Sequence, residues 1–112
     1  MIAARGAEAL VAAAASLAAE TGRKIVGLTV DTHDDASVKA LIAGTVVALG
    51  GLDILVNAAA MPGGQAPPPK LAEVTSQLFW DDVDVKVLGY LRTAREAAPH
   101  MVASAGRWDC HR

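Results

Sequence analysis

Apolar and polar positions fall in blocks of different period along the chain, and those periods predict its elements. Residues 6–20 are mostly alanine and leucine, with Glu8 and Glu20 near the ends. Alanine is the strongest helix former, so this block predicts a helix, closed by Thr21 and by Gly22, which tolerates a left-handed turn. Residues 24–30, KIVGLTV, are rich in β-branched side chains and apolar on both faces, as in a buried parallel strand that ends at Asp31. Asp34, Asp35 and Ser37 then offer caps for a helix on which Val38, Leu41, Ile42, Thr45, Val46 and Leu49 recur at helical spacing. Gly50 and Gly51 stop it, and residues 52–56 predict a second buried strand.

Residues 61–70, MPGGQAPPPK, hold two glycines and four of the five prolines and predict a surface loop. Beyond it Thr75 can cap a long helix over residues 76–104. Its expected apolar side carries Leu78, Phe79, Val83, Val87, Tyr90, Leu91, Ala94, Ala98 and Met101, and Gly106 ends the pattern. Helices alternating with buried strands imply right-handed parallel crossovers, hence an α/β layer architecture in one domain of 112 residues.

Composition narrows the partners. Hydrophobic residues make up 53% of the chain but aromatics only 4%, which predicts a thin core. A net charge of -2 and no basic block give no footprint for nucleic acid or an anionic membrane. No stretch reaches the roughly 18 to 20 apolar residues of a membrane span. Arg5 followed by an Ala/Leu run superficially matches a secretory signal, but Glu8 interrupts it and helix propensity accounts for the alanines. A single cysteine, Cys110, excludes an internal disulfide, and a cytoplasmic setting is expected. His33, His100 and His111 are scattered and predict no metal site, and Asp81, Asp82 and Asp84 read as a solvated acidic face.

The candidate chemistry lies where strands end. The run GLDILVNAAA, residues 51–60, follows by about twenty residues a strand ending in Asp31 with Asp34 three further on, and it precedes a long helix carrying Trp80, Gly89, Tyr90 and Pro99-His100-Met101. In this order and spacing the chain resembles the short-chain dehydrogenase/reductase family over residues 1–107, with residues 108–112 as an irregular tail. The resemblance implies a partial Rossmann fold, a fragment of a doubly wound parallel sheet truncated at both ends. It also implies cofactor-binding roles. Asn57 stands at the first Asn of the family's Asn-Asn-Ala-Gly motif, beside the adenosine ribose, with Ala58, Ala59 and Ala60 in the remaining places. Asp31 matches the acidic residue that accepts from the adenine amino group, Thr32 lies against the same ring, and Arg5 matches the basic residue used for the 2′-phosphate of NADP. The implied cofactor is NADP or NAD, with NADP favoured through Arg5.

Each residue has a plainer reading beside this one. Asn57 can cap a strand end, Asp31 can cap a helix, and Arg5 can be a surface charge near a terminus. Lys86 stands where the family has a helix Asn that helps hold a proton-relay water. Lysine donates but has no side-chain carbonyl, and an ion pair with Asp82 at i-4 is its plainer role.

The family's remaining chemistry needs a glycine-rich turn after the first strand, a Ser, and a Tyr with a Lys four residues on. Tyr90 is the only tyrosine and has Ala94 in that position. The expectation is therefore a fragment of an NAD(P)-dependent oxidoreductase for alcohols or carbonyls, without catalytic residues of its own and inactive alone. The polar tail Trp108-Asp109-Cys110-His111-Arg112 breaks the pattern abruptly and suggests a frameshift. The alternative is a non-catalytic α/β module that associates, as a homo-oligomer, through its long helix.

Overall fold

The computed structural model describes residues 1–59 and 69–105. The expected loop tip at 61–68, the stop at Gly106 and the tail at 108–112 lie outside the described residues. Strand β1, Ile2–Ala4, leads into helix α1, Ala7–Thr21, which returns the chain to strand β2, Gly27–Thr29. The two strands pair in parallel, with Ile2 opposite Gly27, Ala3 opposite Leu28 and Ala4 opposite Thr29. Bonds from Ile2 N to Val26 O at 2.9 Å and from Val30 N to Ala4 O at 3.1 Å extend the ladder at both ends. Parallel pairing across a helix is the βαβ unit expected of an α/β fold.

Local signals set the helix ends. Gly22 (φ 64°) and Gly50 (φ 80°) occupy the left-handed region after α1 and after helix α2, Asp35–Leu49, and the backbone N–H of each reaches back to the carbonyl four residues earlier. Asp34 caps α2 by accepting from Ala36 N and Ser37 N. A short 3-10 turn, Leu71–Glu73, precedes helix α3, Ser76–Val83, whose cap is Thr75 Oγ1 accepting from Leu78 N at 3.1 Å.

The long helix is continuous but not uniform. A π turn over Asp84–Leu88, with Gly89 N bonded to Asp84 O, joins α3 to helix α4, Gly89–Ala105. The extra residue in this turn changes the phase of the helical face. The buried side is Val85, Gly89, Thr93, Ala97 and Ser104. Most of the stripe expected from sequence is exposed instead: Leu78, Phe79, Val87 and Leu91 are 48% to 60% accessible. One smooth helical period cannot represent a helix with an inserted residue, and small residues rather than large ones make its close contact.

A second expectation is corrected at residues 52–56. They form no strand, because a strand exists through its ladder and the described sheet contains β1 and β2 alone. Leu52 is buried and Leu55 half-buried, while Ile54 and Val56 are more than three-quarters exposed. The core is thin, as the scarcity of aromatics predicts. Ile42 of α2, Leu52 and Ala97 of α4 form its centre, with Val46, Leu55 and Met101 packed around them. No described helix is long and apolar enough to cross a membrane.

Ile42→Ala should lower unfolding stability by about 2–5 kcal/mol, since it opens a cavity in a core with few neighbours to collapse into it. Val47→Ala, on the exposed side of the same helix, should stay within about 0.5 kcal/mol of the parent. Chemical denaturation of the two variants checks this, and equal losses would contradict the assignment of the α2 face.

Candidate functional site: a cleft at the strand ends

Parallel strands direct their carboxyl ends to one edge, and the loops that leave them meet there. Arg5 follows β1, residues 31–33 follow β2, and residues 57–59 follow the apolar segment after α2. Between β1 and residues 54–59 lies a cleft of about 580 Å³. Leu41, Ile42 and Thr45 of α2 line it, as do Val85 and Thr93 of the long helix. Its walls are largely apolar, with a few polar groups at the strand ends, which is the usual make-up of a small-molecule site.

The cleft brings together five of the six expected cofactor residues, namely Arg5, Thr32, Asn57, Ala58 and Ala59. The sixth, Asp31, is not on the lining; it stands between Val30 and Thr32, which are. Lys86 is also outside the lining. It is half exposed and its Nζ pairs with Asp82 Oδ2 at 2.9 Å, the i-4 contact expected of it.

Residues 57–59 are held by the long helix. Thr93 Oγ1 lies 2.8 Å from Asn57 Oδ1, 3.0 Å from Tyr90 O and 3.1 Å from Gly89 O. One hydroxyl carries one proton, so it donates to one of these acceptors at a time. The Tyr90 hydroxyl donates to Ala59 O at 2.8 Å, so the sole tyrosine is a structural tie in this arrangement. Asn57 is therefore fixed by α4 rather than by a neighbouring strand.

The turn after β2 is held still more firmly. Arg92, whose side chain is only 18% exposed, donates from Nη1 to Thr32 O at 3.0 Å and to Asp84 Oδ1 at 2.9 Å. Its Nε lies 3.5 Å from Asp35 Oδ1, which also receives Arg95 Nη2 at 2.9 Å. Gly89 allows the approach: a Cβ there would meet Thr32 Cβ at 3.1 Å. Asp31 Oδ1 accepts from His33 N and from His33 Nδ1, both at 3.0 Å.

The backbone N–H of His33, then its ring, and more weakly the charge of Arg5 hold the Asp31 carboxyl below its ordinary range. Asp31 is thus an ionised acceptor at neutral pH, able to take a hydrogen bond but not give one. Asp35, ahead of Glu96, holds the Arg95 guanidinium protonated above its usual range. Among the described residues no group of His, Cys, Asp and Glu is arranged to hold a metal ion. Sequence reasoning passed over Arg92 and Thr93 and weighed His33 only as a metal ligand. Arg92 and Thr93 interrupt an apolar helix, and such an interruption is the signal that could have exposed them.

A parallel βαβ unit whose strand-end loops converge on an apolar cleft defines a partial α/β fold of the Rossmann type. The family model described as short chain dehydrogenase matches residues 1–107, and the chain belongs to that family. It is 38% identical over 82 residues to a protein of Mycolicibacterium smegmatis named as a short-chain type dehydrogenase/reductase, covering 72% of this chain and 28% of that one. It is 38% identical over 74 residues to the 2,5-dichloro-2,5-cyclohexadiene-1,4-diol dehydrogenase of Sphingobium indicum, covering 66% of this chain and again 28% of the relative. Among solved structures it is similar to L-sorbose reductase from Gluconobacter frateurii, complexed with NADPH and L-sorbose. The TM-score is 0.78 and the identity 27%, with 92% of this chain and 38% of that one covered. The chain thus spans less than a third of the length of these curated relatives.

The lowered Asp31 carboxyl fixes the sign of a pH effect. A folded pKa depressed below the unfolded one adds stability that is present above the ordinary value of about 3.9 and lost as pH falls through the folded value. Carbon-detected NMR titration should place the Asp31 midpoint below about 3.9, and His33→Ala should move it upward. A midpoint at or above the ordinary value in the parent chain would contradict the His33 contacts.

Proposed function

We propose that the chain forms the adenosine-side wall of a nicotinamide dinucleotide site in an oxidoreductase that transfers hydride between NAD(P) and an alcohol or carbonyl. The observation that carries this reading is the convergence of Arg5, Thr32 and residues 57–59 on one apolar cleft at the strand ends. Alanines at 58 and 59 leave room for a flat ring or sugar to approach the backbone. Asp31 supplies an ionised acceptor for the adenine amino group at the edge of the cleft. Arg5 is exposed and carries no hydrogen bond among the described residues, so its planar donor fork is available for a 2′-phosphate, which favours NADP over NAD. The similarity to a reductase solved with NADPH supports the same choice.

Hydride transfer is proposed for the complete site and not for these residues alone. Tyr90 has Ala94 four residues on, and its hydroxyl is committed to the Ala59 carbonyl. Lys86 is committed to Asp82. Neither is placed to act as a general acid or base.

Titration calorimetry of the purified chain should show saturable NADPH binding, and Arg5→Ala should weaken it about tenfold while changing NADH binding less than about twofold. Alcohol dehydrogenase turnover by the chain alone should be undetectable. Absence of saturable binding, or equal loss of both cofactors in the variant, would overturn the reading. Concentration-dependent oligomers without NADPH binding would favour an association module built on the exposed face of the long helix.

A further inference from the structure

On the reading of the cleft as an adenosine site, we propose that His33 is a positioning residue that makes the site selective for the 6-amino group of adenine. Both of its contacts with Asp31, from the backbone N–H and from Nδ1, fall on the same carboxylate oxygen, Oδ1. Oδ2 takes no hydrogen bond among the described residues and is the oxygen left for a ligand. A carboxylate gripped by two donors on one oxygen cannot rotate freely, so the direction of its free lone pairs is set before a ligand arrives.

The ring has a defined place between two carboxylates. An ionised carboxylate has no proton to give, so Nδ1 is the donor toward Asp31, and this bond holds the ring; Nε2 lies on the other side, 3.6 Å from Asp84 Oδ2 and outside hydrogen-bond distance. Arg92 holds Asp84 through its other oxygen and holds Thr32 through its carbonyl, so the ring stands between the turn after β2 and the long helix. His33 lines the cleft whereas Asp31 does not, so His33 joins the carboxylate to the cleft wall.

The consequence is chemical selectivity. Oδ2 can only accept, and the 6-position of adenine bears a donor, whereas the 6-position of hypoxanthine bears a carbonyl acceptor. An acceptor facing an acceptor leaves both without a partner, and a site built around a hydrogen bond discriminates strongly against a ligand that cannot make it. The selectivity depends on the aim of the carboxylate, which is where His33 acts.

The test compares dissociation constants of the full chain for NADPH and for its hypoxanthine counterpart. The parent chain should favour NADPH by about tenfold or more. His33→Ala, which removes the ring donor and keeps the backbone one, should lower that ratio at least about threefold, and His33→Asn, whose amide retains a side-chain donor, should restore part of it. The ratio does not depend on the fraction of chain that is folded, so a purely structural role would leave it unchanged. An unchanged ratio in His33→Ala with NADPH still bound would overturn the role of His33 alone. Equal binding of the two nucleotides by the parent would do the same. No NADPH binding by the parent would overturn the adenosine reading and this proposal with it.

Discussion

The site depends on one charged side chain that crosses from the long helix to the turn after β2. Arg92 is mostly enclosed, and it bonds Thr32 O, Asp84 and, at longer range, Asp35. A cation withdrawn from water is costly unless its donors are met, and here two carboxylates and a backbone carbonyl meet them. The bond to Thr32 O connects helix and turn through the backbone, so the positions of residues 31–33 follow the position of α4. Gly89 makes the contact possible by leaving no Cβ between the helix and Thr32. The π turn places Asp84 one helical turn before that contact, with its carboxylate facing Arg92 and the His33 ring.

The same helix organises the opposite side of the cleft. Tyr90 and Thr93, each one residue after Gly89 and Arg92 respectively, reach Ala59 and Asn57. Residues 51–59 gain no support from a ladder, so packing by Leu52 and these two side-chain bonds hold them. Thin packing between α2 and α4, centred on Ile42 and Ala97, completes the frame. The chain thus builds its cleft from one βαβ unit and one long helix, with polar ties doing what a larger core does elsewhere.

Much of this was legible in the chain itself. Glycines in left-handed turns and Asp or Thr caps are local signals, and Gly22, Asp34, Gly50 and Thr75 mark helix ends as expected. Arg5, Thr32 and Asn57 were legible as neighbours of one cleft, the first two because they follow the parallel strands β1 and β2 and the third because it follows an apolar segment that lines the same cleft. The buried face of the long helix was not. An inserted π residue changes the helical phase, and Gly89, Thr93 and Ala97 carry too little hydrophobicity to stand out against Phe79, Val87 and Leu91. The strand at 52–56 was misread because hydrophobicity reports burial, whereas a strand also needs a hydrogen-bonded neighbour. Arg92 was missed because its partner Thr32 lies 60 residues away in sequence, and His33 because a histidine two residues after an aspartate carries no sequence signal that the two side chains bond.

The central claim is that the strand-end cleft is an adenosine site, and amide chemical-shift mapping with 2′,5′-ADP tests it most directly, since this probe carries the adenine, ribose and 2′-phosphate without the nicotinamide. The account predicts saturable shifts concentrated at Arg5, Thr32, His33 and residues 57–59. Shifts that fail to saturate, or that gather on the exposed helix face at Phe79, Val87 and Leu91, would contradict it.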